Sequence, residues 1–253
     1  MTSVDKKEKK EVLDEGVLLE SNEEKTNAEF HEKGAAQYIG DYVFGALDGI
    51  ITTFAVVSGV QGAQLSNSIV LILGFANLLG DGISMAVGSF LSAKSENEYQ
   101  KRERKREELE IINDPKSEIA EIREIYSRKG FTGKDLDRAV EIITSDKKIW
   151  LDTMMLEELN LIKDDKTPLK SSIATFIAFV IAGFIPLLAF VLAQFFEINN
   201  LFLVSIVLTG LTLFSVGAAK TYVTKSNWIK SGFEMLVVGG LAAGVAYFIG
   251  FFL

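Results

Sequence analysis

No cysteine occurs anywhere in the 253 residues, which removes disulfides, thiolate metal sites and cysteine nucleophiles together. Histidine is nearly as scarce. The single copy, His31, lies in a polar N-terminal stretch, so neither a histidine-rich metal site nor a histidine-based catalytic triad can be assembled. No Glu-x-x-His pair is present, and with it goes the usual signature of a ferritin-like di-iron site. The net charge of −8 argues against nucleic acid as a partner. The first 34 residues hold six Lys and ten Asp or Glu but no long apolar run. They lack the apolar centre of a secretory signal, and residues 1–34 read as a disordered cytosolic tail.

What is present is segregated. The apolar fraction is an ordinary 48%, yet mean hydropathy is positive at +0.24. Charge-poor apolar runs cover residues 42–60, 68–93, 173–195, 201–219 and 233–253. Each can cross a bilayer core, which takes about 20 helical residues. All 26 Lys and Arg fall in three places: six in the tail, 17 in residues 94–170 and three in residues 220–230. The connections "QGAQLSN" and "FEINN" have none. The positive-inside rule then gives one consistent orientation, with the N-terminus and residues 94–170 cytosolic and the C-terminus external or lumenal. Buried helices of a water-soluble protein would leave this segregation unexplained. The expectation is an all-α, polytopic membrane protein with five transmembrane helices. Residues 35–93 carry the first two, residues 94–170 form an inserted cytosolic helical domain, and residues 171–253 carry the last three.

The inserted segment reads as helices. The first continues from the second span to about Ile112, since no Gly or Pro interrupts residues 89–110. "NDPKSE" ends it, with Asp114 as a cap and Pro115 at the first position of a new helix. Another helix is expected from near Lys134. A last one is expected from a Ser145 cap to about Ile162. Glu107 and Glu110 are three apart and share a face, as do Glu118 and Glu121. Met154, Met155 and Glu158 share a face of the last helix. "KRERKREELE" by itself would suit a solvated face of Glu–Lys pairs. Brought together, the three faces would form an oxygen-rich pocket with thioether on one side. Carboxylates suit Mg, Mn, Ca and ferrous iron, and a thioether shifts the preference toward softer transition metals.

Two acids lie inside apolar runs: Asp48 in the first and Asp81 in the second. A charge at the bilayer centre costs roughly 2.5–3.5 kcal/mol on insertion scales, so such residues face a bundle interior or a watered path. Asn77, Asp81 and Met85 are spaced by four and line one stripe. Together with Asp48 they could pass on a dehydrated divalent cation, and the carboxylates could take up a proton as the metal leaves.

"DYVFGALDGIITTFAVVSGV", "GDGISMAVGSFLSAKSENEY", "WLDTMMLEELNL", "AGFIPLLAF" and "GGLAAGVAYFIG" resemble the vacuolar iron transporter family, from about Asp41 to the C-terminus. The resemblance implies a homodimer of five-span subunits that exchanges ferrous iron, and often manganese, for protons. It implies a cytosolic three-helix metal-binding domain whose ligand positions fall on Glu107, Glu110, Glu118, Glu121, Met154, Met155 and Glu158. The family's first-span aspartate matches Asp48 and its second-span methionine matches Met85. One position departs: plant-type members carry a glutamate where this chain has Asn77, and an acid stands instead at Asp81, one turn later.

The expected function is therefore a proton-coupled antiporter moving divalent metal out of the cytosol, not an enzyme and with no cofactor. Its ion would be Fe2+, with Mn2+, Co2+ and Zn2+ as further candidates, and its surroundings a lipid bilayer. Nothing addresses the chain to an organelle, so a prokaryotic plasma membrane is favoured over a vacuole. One alternative is a membrane-anchored metal sensor or storage protein without transport. A remote third is an intramembrane aspartyl protease using Asp48 and Asp81, against which Leu78 stands where such enzymes have glycine.

Overall fold

The computed structural model describes residues 37–162 and 166–253. The residues read as a tail, 1–34, lie outside that range. Among the described residues there are eight α-helices and no strand: α1 Ile39–Gly62, α2 Asn67–Asn113, α3 Pro115–Arg128, α4 Gly133–Ser145, α5 Lys147–Glu157, α6 Pro168–Leu192, α7 Leu201–Thr224 and α8 Trp228–Phe252. Five of them (α1, α2, α6, α7 and α8) are long and apolar enough to cross a membrane. The chain divides into two units. One comprises residues 37–89 with Leu169–Leu253; the other is Phe90–Pro168. Helix α2 runs unbroken through the change of unit. It spans Asn67–Asn113, 47 residues.

The first unit is a bundle of apolar helices. Backbones approach closely where side chains are absent. A Cβ on Gly45 or Gly49 of α1 would fall well inside contact distance of the Thr175 or Phe179 carbonyl of α6, and one on Gly183 would lie 2.7 Å from the Gly49 carbonyl oxygen. On its other side α1 packs against α8, where Gly250 meets the Gly59 carbonyl as tightly. Such small-residue contacts let helices pack by dispersion where lipid supplies no hydrophobic drive. Phe54, Val57, Leu78, Phe179, Leu187 and Phe190 fill the interior. Ile72, Leu211 and Phe248 point outward, each more than 60% exposed. Apolar surface outside and hydroxyls inside suit a hydrocarbon solvent: Ser171, Thr175, Ser205 and Thr209 are all buried. Pro186 sits within α6, and its carbonyl accepts a 2.7 Å bond from the Ser205 hydroxyl of α7.

The second unit is built on the later part of α2 with α3, α4 and α5. Its core joins Ile111, Ile122, Val140, Ile143, Trp150, Leu151, Met154 and Met155. Helix α3 starts as expected: Asp114 accepts from the Ser117 amide and Pro115 takes the first position. Helix α5 starts differently. Ser145 ends α4, and Asp146 is the cap, its Oδ1 accepting from the Lys148 and Ile149 amides at 2.8 and 3.0 Å. A carboxylate acceptor complements the exposed amides of a first turn better than a hydroxyl. Nor does α5 reach Ile162. It closes at Glu157, because Asn160 takes a left-handed backbone (φ 53°) and the Leu159 and Leu161 amides turn back to the Met154 and Met155 carbonyls.

Candidate metal centre

That early stop places Glu158 at the C-terminal end of α5. There it meets Glu107 of α2 and Glu118, one turn into α3. One carboxylate oxygen from each of the three lies within 4.8 Å of the others. Two surface ion pairs hold α5 beside α2: Arg104–Asp152 at 2.6 Å and Lys147–Glu108 at 2.7 Å. Half-exposed pairs of this kind contribute about 0–1 kcal/mol each, so they orient more than they stabilise. The packing is the work of the apolar core beneath, where Ile122 and Met154 are fully buried.

Glu107 and Glu118 are 1% and 5% exposed, and each has a buried oxygen, Oε2, without a hydrogen-bond partner. A buried acceptor left unpaired costs free energy, and two of them beside the exposed carboxylate of Glu158 make a site that favours a cation or protons. The electrostatics agree. Burial, and then the charges of Glu121, Glu107, Glu158 and Glu110, push Glu118 up to about 7. Burial, then Glu107, Glu121 and Glu110, push Glu158 up to about 7 as well. Burial raises Glu107 too, and its bond to Arg106 opposes the rise. Like charges that cannot all be solvated share protons until a divalent ion replaces them.

Of the seven positions expected in this domain, Glu107, Glu118 and Glu158 converge at ligand distance. Glu121 is half-buried and acts on the other carboxylates through its charge. Glu110 is half-exposed, with Oε2 3.7 Å from Arg106 Nε. Met154 and Met155 are buried in the apolar core. Glu103 was missed by the sequence reading. It lies one turn before Glu107, is 4% exposed, and is gripped by Arg102 and Arg106 at 2.8 and 2.7 Å. The spacing of four from Glu107 was a signal that could have found it.

The membrane-span residues belong to the other unit. Asp48, Asn77, Asp81 and Met85 are all half-buried, whereas Leu79, Ile83 and Val87 point outward. Asp48 and Asp81 are near enough for their charges to act on each other. Thr52, one turn after Asp48, donates to the Asp48 backbone carbonyl at 2.8 Å and not to its carboxylate. The Asn77 amide nitrogen is buried without a partner. Met85 packs against the cluster that contains Phe54 and Phe179.

The sequence model of the VIT family matches residues 39–251. A protein of Toxoplasma gondii named vacuolar iron transporter is 40% identical over 230 residues, covering 88% of this chain and 76% of its own. Vacuolar iron transporter 1 of Arabidopsis thaliana is 37% identical over 84% of this chain and 85% of its own. The Plasmodium falciparum vacuolar iron transporter is 38% identical over 82% and 79%. These are eukaryotic proteins with a vacuolar name, and they lend no support to the preference for a prokaryotic plasma membrane. The match spans both units, the five apolar helices and the carboxylate cluster alike: this chain is an integral, multi-pass membrane protein and belongs to the VIT family.

Proposed function

We propose that this protein is a proton-coupled antiporter that carries divalent metal, ferrous iron first and manganese second, out of the cytosol. The observation that carries the reading is the meeting of Glu107, Glu118 and Glu158, with two buried oxygens unpartnered. Hard carboxylate oxygens suit Fe2+ and Mn2+. Co2+ and Zn2+ are further candidates, and Met154 and Met155, sealed in the apolar core, are assigned no ligand role. The names of the relatives, all iron transporters, point the same way.

In this reading Phe90–Pro168 is a cytosolic metal-binding domain that collects the ion. Glu107, Glu118 and Glu158 are its ligands, and Glu110 and Glu121 add charge. Asp48, Asp81, Asn77 and Met85 form the translocation path. The two half-buried aspartates bind the ion or a proton but are poorly solvated with neither, which gives exchange its physical basis. Asp81 would supply the carboxylate that Asn77 lacks. A homodimer in the bilayer, with N-termini cytosolic, completes the proposal.

Ferrous or manganous flux into proteoliposomes, measured with and without an imposed pH gradient, tests it. Flux should follow the gradient, and Asp48→Ala should abolish it. Transport by Asp48→Ala equal to the parent would refute the path. Saturable metal binding with no flux in any gradient would favour the sensor or storage alternative.

A further inference from the structure

We propose that Arg106 is a built-in counter-cation of the metal centre, holding its affinity for divalent ions down. The proposal rests on the reading of Glu107, Glu118 and Glu158 as metal ligands. The Arg106 guanidinium faces three acids of α2: Nη1 is 2.7 Å from Glu103 Oε2, Nη2 is 3.2 Å from Glu107 Oε1, and Nε is 3.7 Å from Glu110 Oε2. Arg106 itself is half-exposed, and a lone arginine at such a surface would sample many positions. Glu103 is what fixes it. That acid is 4% exposed, and its second oxygen is held by Arg102 through Nη2 at 2.8 Å and Nε at 3.0 Å. A buried, doubly gripped carboxylate is a rigid post, and the planar fork of an arginine bound to it points in a set direction.

The fork engages the outer oxygen of Glu107. The other oxygen, Oε2, is the buried one without a partner. One positive charge is therefore stationed on the far oxygen of one of the three converging carboxylates. It cancels part of the field that draws in a divalent ion. A carrier has to release what it binds, and a cluster of five uncompensated carboxylates would retain its ion. Arg106 would act as a positioning and tuning residue through Glu107, not as a ligand.

Binding of Mn2+ to the full-length protein in detergent, followed by loss of the free-ion electron paramagnetic resonance signal, tests this. The measurement belongs at about pH 8, above the range in which the carboxylates take up protons, and at low salt. Removing one unit charge next to a divalent site in a water-like medium should tighten binding on the order of ten-fold in Arg106→Gln. Arg106→Lys keeps the charge and should stay within about two-fold of the parent, and raising the salt to roughly 0.5 M should shrink the gap between Arg106→Gln and the parent. Binding by Arg106→Gln that is unchanged or weaker overturns the proposal. So does equal weakening in Arg106→Gln and Arg106→Lys, which would make the fork an orienting device only. A parent protein whose Mn2+ binding is insensitive to Glu118→Gln would remove the metal centre itself, a failure visible before any Arg106 variant is made.

Discussion

Acidification should strip metal from this protein far above the pH at which ordinary carboxylates titrate. Glu118 and Glu158 are both pushed up to about 7 from 4.5. A metal ion has to displace any proton they carry. For a group titrating at about 7, the competition factor is about 11 at pH 6 and about 1.1 at pH 8. Because protonating one of the coupled pair lowers the other, the two together should weaken apparent metal affinity by roughly ten-fold to at most a hundredfold between pH 8 and pH 6. Solvated carboxylates at their ordinary value would give almost no change across that range. The assay is a Mn2+ or Co2+ titration of the full-length protein in detergent, with circular dichroism at each pH to confirm that the helices persist. The proton release per ion, measured in weak buffer, should approach one near pH 7. An apparent affinity that is flat from pH 6 to pH 8 would refute both the clustering and the raised carboxylates.

Glu118→Gln should weaken metal binding by at least ten-fold and, without metal, stabilise the protein. The sign follows from linkage. A carboxyl raised in the folded state leaves the fold fully stabilised below about pH 4.5 and costs stability as pH rises through 7, so above 7 the neutral amide should recover about 1–3 kcal/mol. Thermal unfolding with chelator at about pH 8 and about pH 5 checks it, and most of the gain should be lost at the lower pH. Gly49→Ala should disrupt the α1–α6 contact, since the new methyl meets the Phe179 carbonyl of the α6 backbone. A loss of about 1–3 kcal/mol is expected, read as lower detergent-resistant yield than Gly40→Ala, where the space is open. Ile122→Ala removes a fully buried side chain from the core of the second unit and should cost about 2–5 kcal/mol. Hydrogen exchange should then accelerate in α3 and α4 while α7 keeps its protection.

Much of this protein could be read along the chain, because a bilayer imposes long apolar runs and the distribution of Lys and Arg marks where they stop. The five membrane helices and the unbroken α2 follow from local composition and from the lack of a helix breaker after Gly88. The Asp114–Pro115 start of α3 is a local signal of the same kind. The carboxylate spacing was legible as faces, since residues three or four apart must share one. Which face meets which is a different matter. Glu107 and Glu110 share a face by spacing, yet one is sealed in the cluster and the other stands at the rim beside Arg106. The stop of α5 at Glu157 depends on a left-handed Asn160, and it decides where Glu158 points. The burial of Glu103, and the direction it gives to Arg106, appear only once α2 is packed. Sequence determined which segments enter lipid and which carry charge, because those are sums over neighbouring residues. Tertiary structure decided which oxygens converge and which cation lies beside them, because desolvation and Coulomb interaction depend on distances between helices that composition does not encode.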